Sequence, residues 1–248
     1  MLRDCPTRGY RFLPGIPAFS SGTVAMPGHE IVHVTLARPV PWRDGFTRIE
    51  RHLRDQGRPR TALCGIELRI PGAFTFDGFA KFNEGYRSLL AEWDILLGDD
   101  NPIPRTNVAP IIAEPAEPSL YAFAYTVAGT TPAPTFIVAG AGEMRDRTQG
   151  ADGIVRRGDT SADAMREKAR FVMGIMQDRL SALGGDWSRV TAIDVYTAES
   201  IHGFLVEDLL RPAGAAAIHG VRWFPSRPPI QGLEFELDLR GVARELVI

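Results

Sequence analysis

Three side chains in this sequence stand where they could act on a small acid. Arg105 follows the rigid run Pro102-Ile103-Pro104 and precedes a segment with few charges. A planar guanidinium there can hold a carboxylate through two hydrogen bonds; the plainer alternative is a surface arginine or a structural ion pair. Glu234 belongs to the alternation Leu233-Glu234-Phe235-Glu236-Leu237-Asp238-Leu239, which places three acids on one face of a strand. Taken alone, that face is expected to be solvated. A carboxylate held near a reacting centre would instead orient or deprotonate water. His219, one of five histidines, lies beside an apolar run, where a histidine is usually structural. It is also the side-chain type that titrates near neutral pH and so can relay a proton.

The elements that must carry these residues occur twice. Residues 44–127 run helix, glycine, strand, helix, proline-flanked segment and strand, and residues 160–242 repeat that order. Glu30–Val40 alternates β-branched residues as a strand does. Asp44 is placed to cap a helix with apolar positions Phe46, Ile49 and Leu53, and Gly57 suits its end. Ala62–Ile70 is expected as a strand. Asp77 opens a helix with Phe79, Phe82, Tyr86, Leu89 and Trp93 spaced three and four apart, Tyr86 being a core position. Leu120–Val127 follows as a strand. Gly129 to Pro134 breaks the chain. In the second half the spacing predicts a strand over Phe136–Ala141 and a helix entered near Thr160 and Asp163. That helix carries Met165, Ala169, Val172, Met176 and Leu180. Further strands are expected at Val190–Tyr196, Ala215–Phe224 and Leu233–Leu239, with a short helix at Ser200–Leu210. The apolar tail Val242–Ile248 is available to pack on a neighbour.

Bulk properties narrow the classes of function. The 248 residues are 44% hydrophobic and 23% charged, with a net charge of −2. That balance is globular and provides no basic field for nucleic acid or an anionic membrane. Cys5 and Cys64 are too few for a disulfide framework, and Cys64 is expected in the core. The histidines lack metal-ligand spacing, and the N-terminal residues lack the apolar region of a signal peptide. The expectations are a cytoplasmic protein with no metal and no cofactor.

Several local motifs resemble the RidA (YjgF) family. Phe79-x-x-x-Asn83-x-x-Tyr86 is similar to the family's helix motif, and Ile103-Pro104-Arg105 to its arginine segment. Phe136-Ile137-Val138-Ala139-Gly140 is similar to its second strand, and Leu233-Glu234-Phe235-Glu236 to its closing strand. The resemblance implies an α+β fold of two tandem chorismate-mutase-like domains, residues 1–128 and 129–248, each a mixed or antiparallel sheet with two helices on one face. It also implies a homo-oligomer, a trimer of tandem chains.

By the same resemblance Arg105, Asn83 and Phe19 bind a small-molecule carboxylate, and Glu234 positions the attacking water. The halves depart from the family in different ways. The first half has Tyr121 where the family glutamate would stand; the second has His219 at the counted arginine position. A composite pocket with Arg105 facing Glu234 and His219 is therefore expected. The implied activity is hydrolytic deamination of a dicarboxylic imine or enamine of the 2-aminomuconate type, in aromatic-compound breakdown. The alternatives are a chorismate-handling lyase or hydrolase, and a non-catalytic small-acid-binding or chaperone-like oligomer.

Overall fold

The computed structural model describes residues 1–248. The chain opens with β1 (Arg3–Cys5), β2 (Tyr10–Leu13) and β3 (Gly22–Ala25). There follow β4 (His29–Pro41), α1 (Trp42–Asp55), β5 (Leu63–Arg69), α2 (Phe76–Glu92), β6 (Arg105–Pro110) and β7 (Ser119–Ala128). The second half holds β8 (Phe136–Gly142), α3 (Ala162–Ala182), β9 (Ala192–Tyr196), β10 (Arg222–Phe224), β11 (Ser226–Arg227), β12 (Glu236–Gly241) and β13 (Arg244–Val247).

Helix starts differ from expectation by a residue or two, because the capping side chain is the one whose oxygen meets an orphan N–H. Thr75 rather than Asp77 caps α2, accepting from Gly78 N at 3.0 Å. Ser161 rather than Thr160 caps α3, accepting from Ala164 N at 3.3 Å. Helix α1 begins behind Pro41, and Asp44 sits in its first turn, where a negative charge complements the helix dipole.

The strands form two sheets, ordered β11-β6-β5-β7-β4-β13 and β1-β2-β3-β8-β12-β9-β10. The runs β6-β5-β7-β4 and β10-β9-β12-β8 repeat one pattern, a parallel pair followed by two antiparallel pairs. The main passage between sheets falls between β7 and β8, yet the termini and β11 cross over, β11 pairing antiparallel with β6. Strand β3 pairs with β8, so residues 3–25 join the second sheet, and β13 runs parallel to β4 in the first. The apolar tail thus pairs within its own chain.

Each sheet buries one face under helices. Val32, Val34 and Leu36 of β4 pack with Phe46 and Ile49 of α1 and Leu90 of α2. Leu237 and Leu239 of β12 pack with Val172, Met176 and Leu180 of α3. The opposite faces meet each other: Thr106 of the first sheet donates to Asp238 of the second at 2.5 Å, and Gly65 opposes Ile137. The result is helices, sheet, sheet, helices, with each sheet shielding the face that the other's helices leave bare.

Two expectations fail here. Glu236 and Asp238 are not solvated; each is 4% exposed, on the face covered by the other sheet. The strand expected at Ala215–Phe224 is reduced to Arg222–Phe224, because Gly214–His219 coils into a 3-10 turn. Gly214 and Gly220, at φ +54° and +66°, bracket that turn and break the extended run.

Candidate active site

Between the sheets lies a polar layer. His33 Nε2 stands 2.8 Å from Glu67 Oε1, and Arg69 lies 3.6 Å from the same carboxylate. Asp194 receives Arg240 at 2.9 Å and Arg222 at 2.6 Å. Asp238 accepts from Thr106 and from the Tyr196 hydroxyl at 3.0 Å. Oxygens of Glu67, Asp194 and Asp238 lie within 4.8 Å of one another, the one grouping with the spacing of a metal site. Glu67 and Asp194 are engaged by cationic side chains and Asp238 by two hydroxyls.

At one end of this layer the sheets part around a cavity of about 110 Å³. Arg105 enters it from the start of β6 and is 2% exposed. Its Nη2 donates to Asn83 Oδ1 at 2.6 Å, while Nε and Nη1 have no protein partner. Four rings surround the guanidinium: Phe19 at 5.0 Å, Phe79 at 5.7 Å, Phe82 at 5.5 Å and Tyr86 at 4.6 Å from their centroids. Three of these come from one face of α2, through spacing of three and four. Phe19 arrives on the loop before β3, which Asn101 and Ser20 tie to the arginine segment through Ala18 O and Pro102 O. Burial lowers the guanidinium pKa to about 10, and the dry aromatic surround strengthens any pairing with an anion.

Glu236 faces Arg105 from the first residue of β12 and lines the same cavity. Burial, then the nearby Glu143 carboxylate, push its pKa up to about 8, against the opposing pull of Arg147, Arg179 and Arg105. Its position depends on Gly140, where a Cβ would lie 2.2 Å from Glu236 Oε1. Arg179, from the last turn of α3, donates to Ala139 O at 2.8 Å. Arg147 stands at the start of a short turn, 5.8 Å from the Phe19 ring. Apolar walls come from Met144, Ile175, Ile230 and Leu233. The cavity thus joins a buried carboxyl group, its affinity for a proton raised by burial, to three guanidinium groups. It can bind a dianion and move a proton beside it.

The expected residues are distributed as follows. Arg105 and Phe19 line the cavity; Asn83 stands behind Arg105 and holds it. Glu234 is half-buried and engaged by Arg227 at 2.5 Å, away from the cavity lining. His219 is exposed at the end of the 3-10 turn, in a surface depression with Thr191, Arg222 and Glu245. Counting without gaps misplaced it: β10 starts at Arg222, as β6 starts at Arg105, but Arg222 is committed to Asp194. Glu236, Arg147 and Arg179 were not singled out as site residues from sequence. The alternation that contained Glu234 did signal a shared face for Glu236; the covering of that face carried no sequence mark.

Residues 2–246 match the family described as 2-aminomuconate deaminase CnbZ. The chain is 42% identical over 243 residues to the 2-amino-5-chloromuconate deaminase of Comamonas testosteroni, covering 97% of this chain and 96% of that protein. Among solved structures, a chorismatase is 14% identical, covering 93% of this chain and 79% of its own, with a TM-score of 0.47. The YjgF gene product of E. coli is 15% identical, covering 44% of this chain and 81% of its own, with a TM-score of 0.26. The chain belongs to the CnbZ family of 2-aminomuconate deaminases.

Proposed function

We propose that this enzyme deaminates a 2-aminomuconate-type dicarboxylic enamine in the cavity between its sheets, with Glu236 as the proton-transferring group and Arg105 as a carboxylate anchor. The observation that carries this reading is a buried Glu236, its pKa pushed up to about 8, facing Arg105, Arg147 and Arg179 across one cavity. Two carboxylates need at least two cationic partners, and three guanidinium groups are present. Glu236 takes the role that the family resemblance gave to Glu234.

Neutral Glu236 donates its proton to a carbon of the conjugated enamine. The C=C electrons form that C–H bond while the nitrogen lone pair forms C=N, leaving an iminium and a Glu236 carboxylate. Water attacks the iminium carbon and gives one proton to Glu236, producing a neutral carbinolamine. Glu236 then protonates the carbinolamine nitrogen. Ammonia departs as the hydroxyl proton returns to the carboxylate, so the oxo acid forms and Glu236 regains its starting state. Arg105, Arg147 and Arg179 hold the substrate's charges in place throughout.

The reading extends to two RidA-like domains, 1–128 and 129–248, supported by the repeated strand order and modified by the terminal strands that cross between sheets. It also extends to a homotrimer acting in the cytoplasm in aromatic-compound breakdown, as the family resemblance implies. Ammonia release from 2-aminomuconate tests the site. Glu236→Gln and Arg105→Ala should each lose about a hundredfold or more in kcat/KM, while Glu234→Gln stays within about threefold, as expected of a half-buried group paired with Arg227 outside the cavity lining. The opposite ranking of the two glutamates would return the catalytic role to Glu234.

A further inference from the structure

Asn107 lies two residues beyond Arg105 on β6, so both side chains leave the strand on one face. It is 2% exposed and lines the cavity beside Glu236. Its Oδ1 and its Nδ2 are both buried without a protein hydrogen-bond partner. A buried amide with neither end paired is costly, and such an expense is ordinarily recovered when a ligand binds.

The surrounding groups restrict what that ligand contact can be. Arg105, Arg147 and Arg179 only donate hydrogen bonds. The carbonyls of Ala139 and Gly140 are directed at Arg179. Glu236 keeps an acceptor oxygen even when protonated, but the proposed reaction directs its carboxyl at the carbon that takes the proton. The Asn107 Oδ1 is an acceptor in this cavity that no protein donor occupies, and an entering amino group can pair with it. An enamine nitrogen and the carboxylate on the same carbon present N–H and O side by side, the complement of the C=O and N–H of a carboxamide.

We propose that Asn107 is a specificity-determining residue that recognises the α-amino carboxylate unit of the substrate. Its Oδ1 accepts from the amino group and its Nδ2 donates to the adjacent carboxylate. This rests on the deaminase reading of the same cavity. Hydrolysis replaces the amino group by a carbonyl, which has no hydrogen to donate, so Oδ1 then opposes an oxygen lone pair and product binding weakens.

The test uses the full-length chain carrying Glu236→Gln to stop turnover, titrated with freshly generated 2-aminomuconate and with muconate, the same dicarboxylate without nitrogen. With Asn107 intact, the amino compound should bind about tenfold or more tighter. With Asn107→Leu added, that ratio should fall to within about twofold, both ligands also weakening by the shared loss of the Nδ2–carboxylate contact. Asn107→Ala gives the same reading if the leucine variant does not fold. An unchanged ratio in a folded variant overturns the proposal. Turnover persisting in Glu236→Gln alone would instead overturn the underlying reading, so the two failures are distinguishable.

Discussion

Lys168 Nζ lies 3.1 Å from Glu143 Oε1, with both side chains fully enclosed. Lys168 also donates to Val155 O at 2.8 Å. Glu143 in turn accepts from Glu234 N at 2.7 Å and Phe235 N at 3.0 Å. One buried pair therefore links α3, the segment after β8 that carries Arg147, and the chain entering β12 just before Glu236. Removing a single partner leaves an uncompensated charge in the interior. Lys168→Met should cost about 3–5 kcal/mol of stability, read by urea denaturation. A loss under about 1 kcal/mol would show that Glu143 does not depend on Lys168 for its charge.

The approach of Gly140 to Glu236 is the second tight relationship. An alanine methyl would fall 2.2 Å from Oε1 and 3.1 Å from the Thr106 side chain, so the carboxyl group must move. Misplacement of a reacting group by about 1 Å costs on the order of a hundredfold. Gly140→Ala should lower kcat by about that factor. Activity within twofold of the parent would show that the carboxyl position is not critical.

Activity should depend on pH in one direction set by Glu236. The first step needs the protonated carboxyl, so kcat/KM should fall as pH rises through about 8. A profile flat from pH 6.5 to 9 would contradict that role.

Stability should follow the same group. Folding raises its pKa from 4.5 to about 8, so the folded chain keeps a proton that the unfolded chain has released between those values. Its contribution is greatest below the unfolded value, declines as pH rises through the window, and levels off above about 8. Glu236→Gln removes this slope. Relative to the parent, the inactive variant should gain stability from pH 5 to pH 8, by on the order of a few kcal/mol at the upper end. Melting curves of both proteins across that range decide it.

Asn83 acts through Arg105. Asn83→Ala leaves Nη2 without its 2.6 Å partner and frees the guanidinium to turn. KM should rise about tenfold, the scale of one hydrogen bond to a charged group, with kcat little changed. A fall in kcat at constant KM would place Asn83 in the chemistry instead.

By itself the sequence determined the local elements and which residues share a face. Spacing of three and four identified α2 and α3, and alternation identified β4 and β12, because the helix and strand periods are fixed by backbone geometry. The motifs around Arg105 and Asn83 identified the family. Only the tertiary structure decided what lies against each face. Glu234, Glu236 and Asp238 look alike in a strand of alternating acids, but the second sheet's bare face is covered by the first. The last two are thereby buried, while Glu234, ahead of the strand, is left with Arg227. Arg147 and Arg179 reach the cavity from a turn and a helix far from β6 in sequence. His219 left the expected position because two glycines allowed a turn where a strand was counted. Periodicity assigns a side chain to a face; burial, and with it a carboxyl group's proton, depends on distant segments that periodicity does not encode.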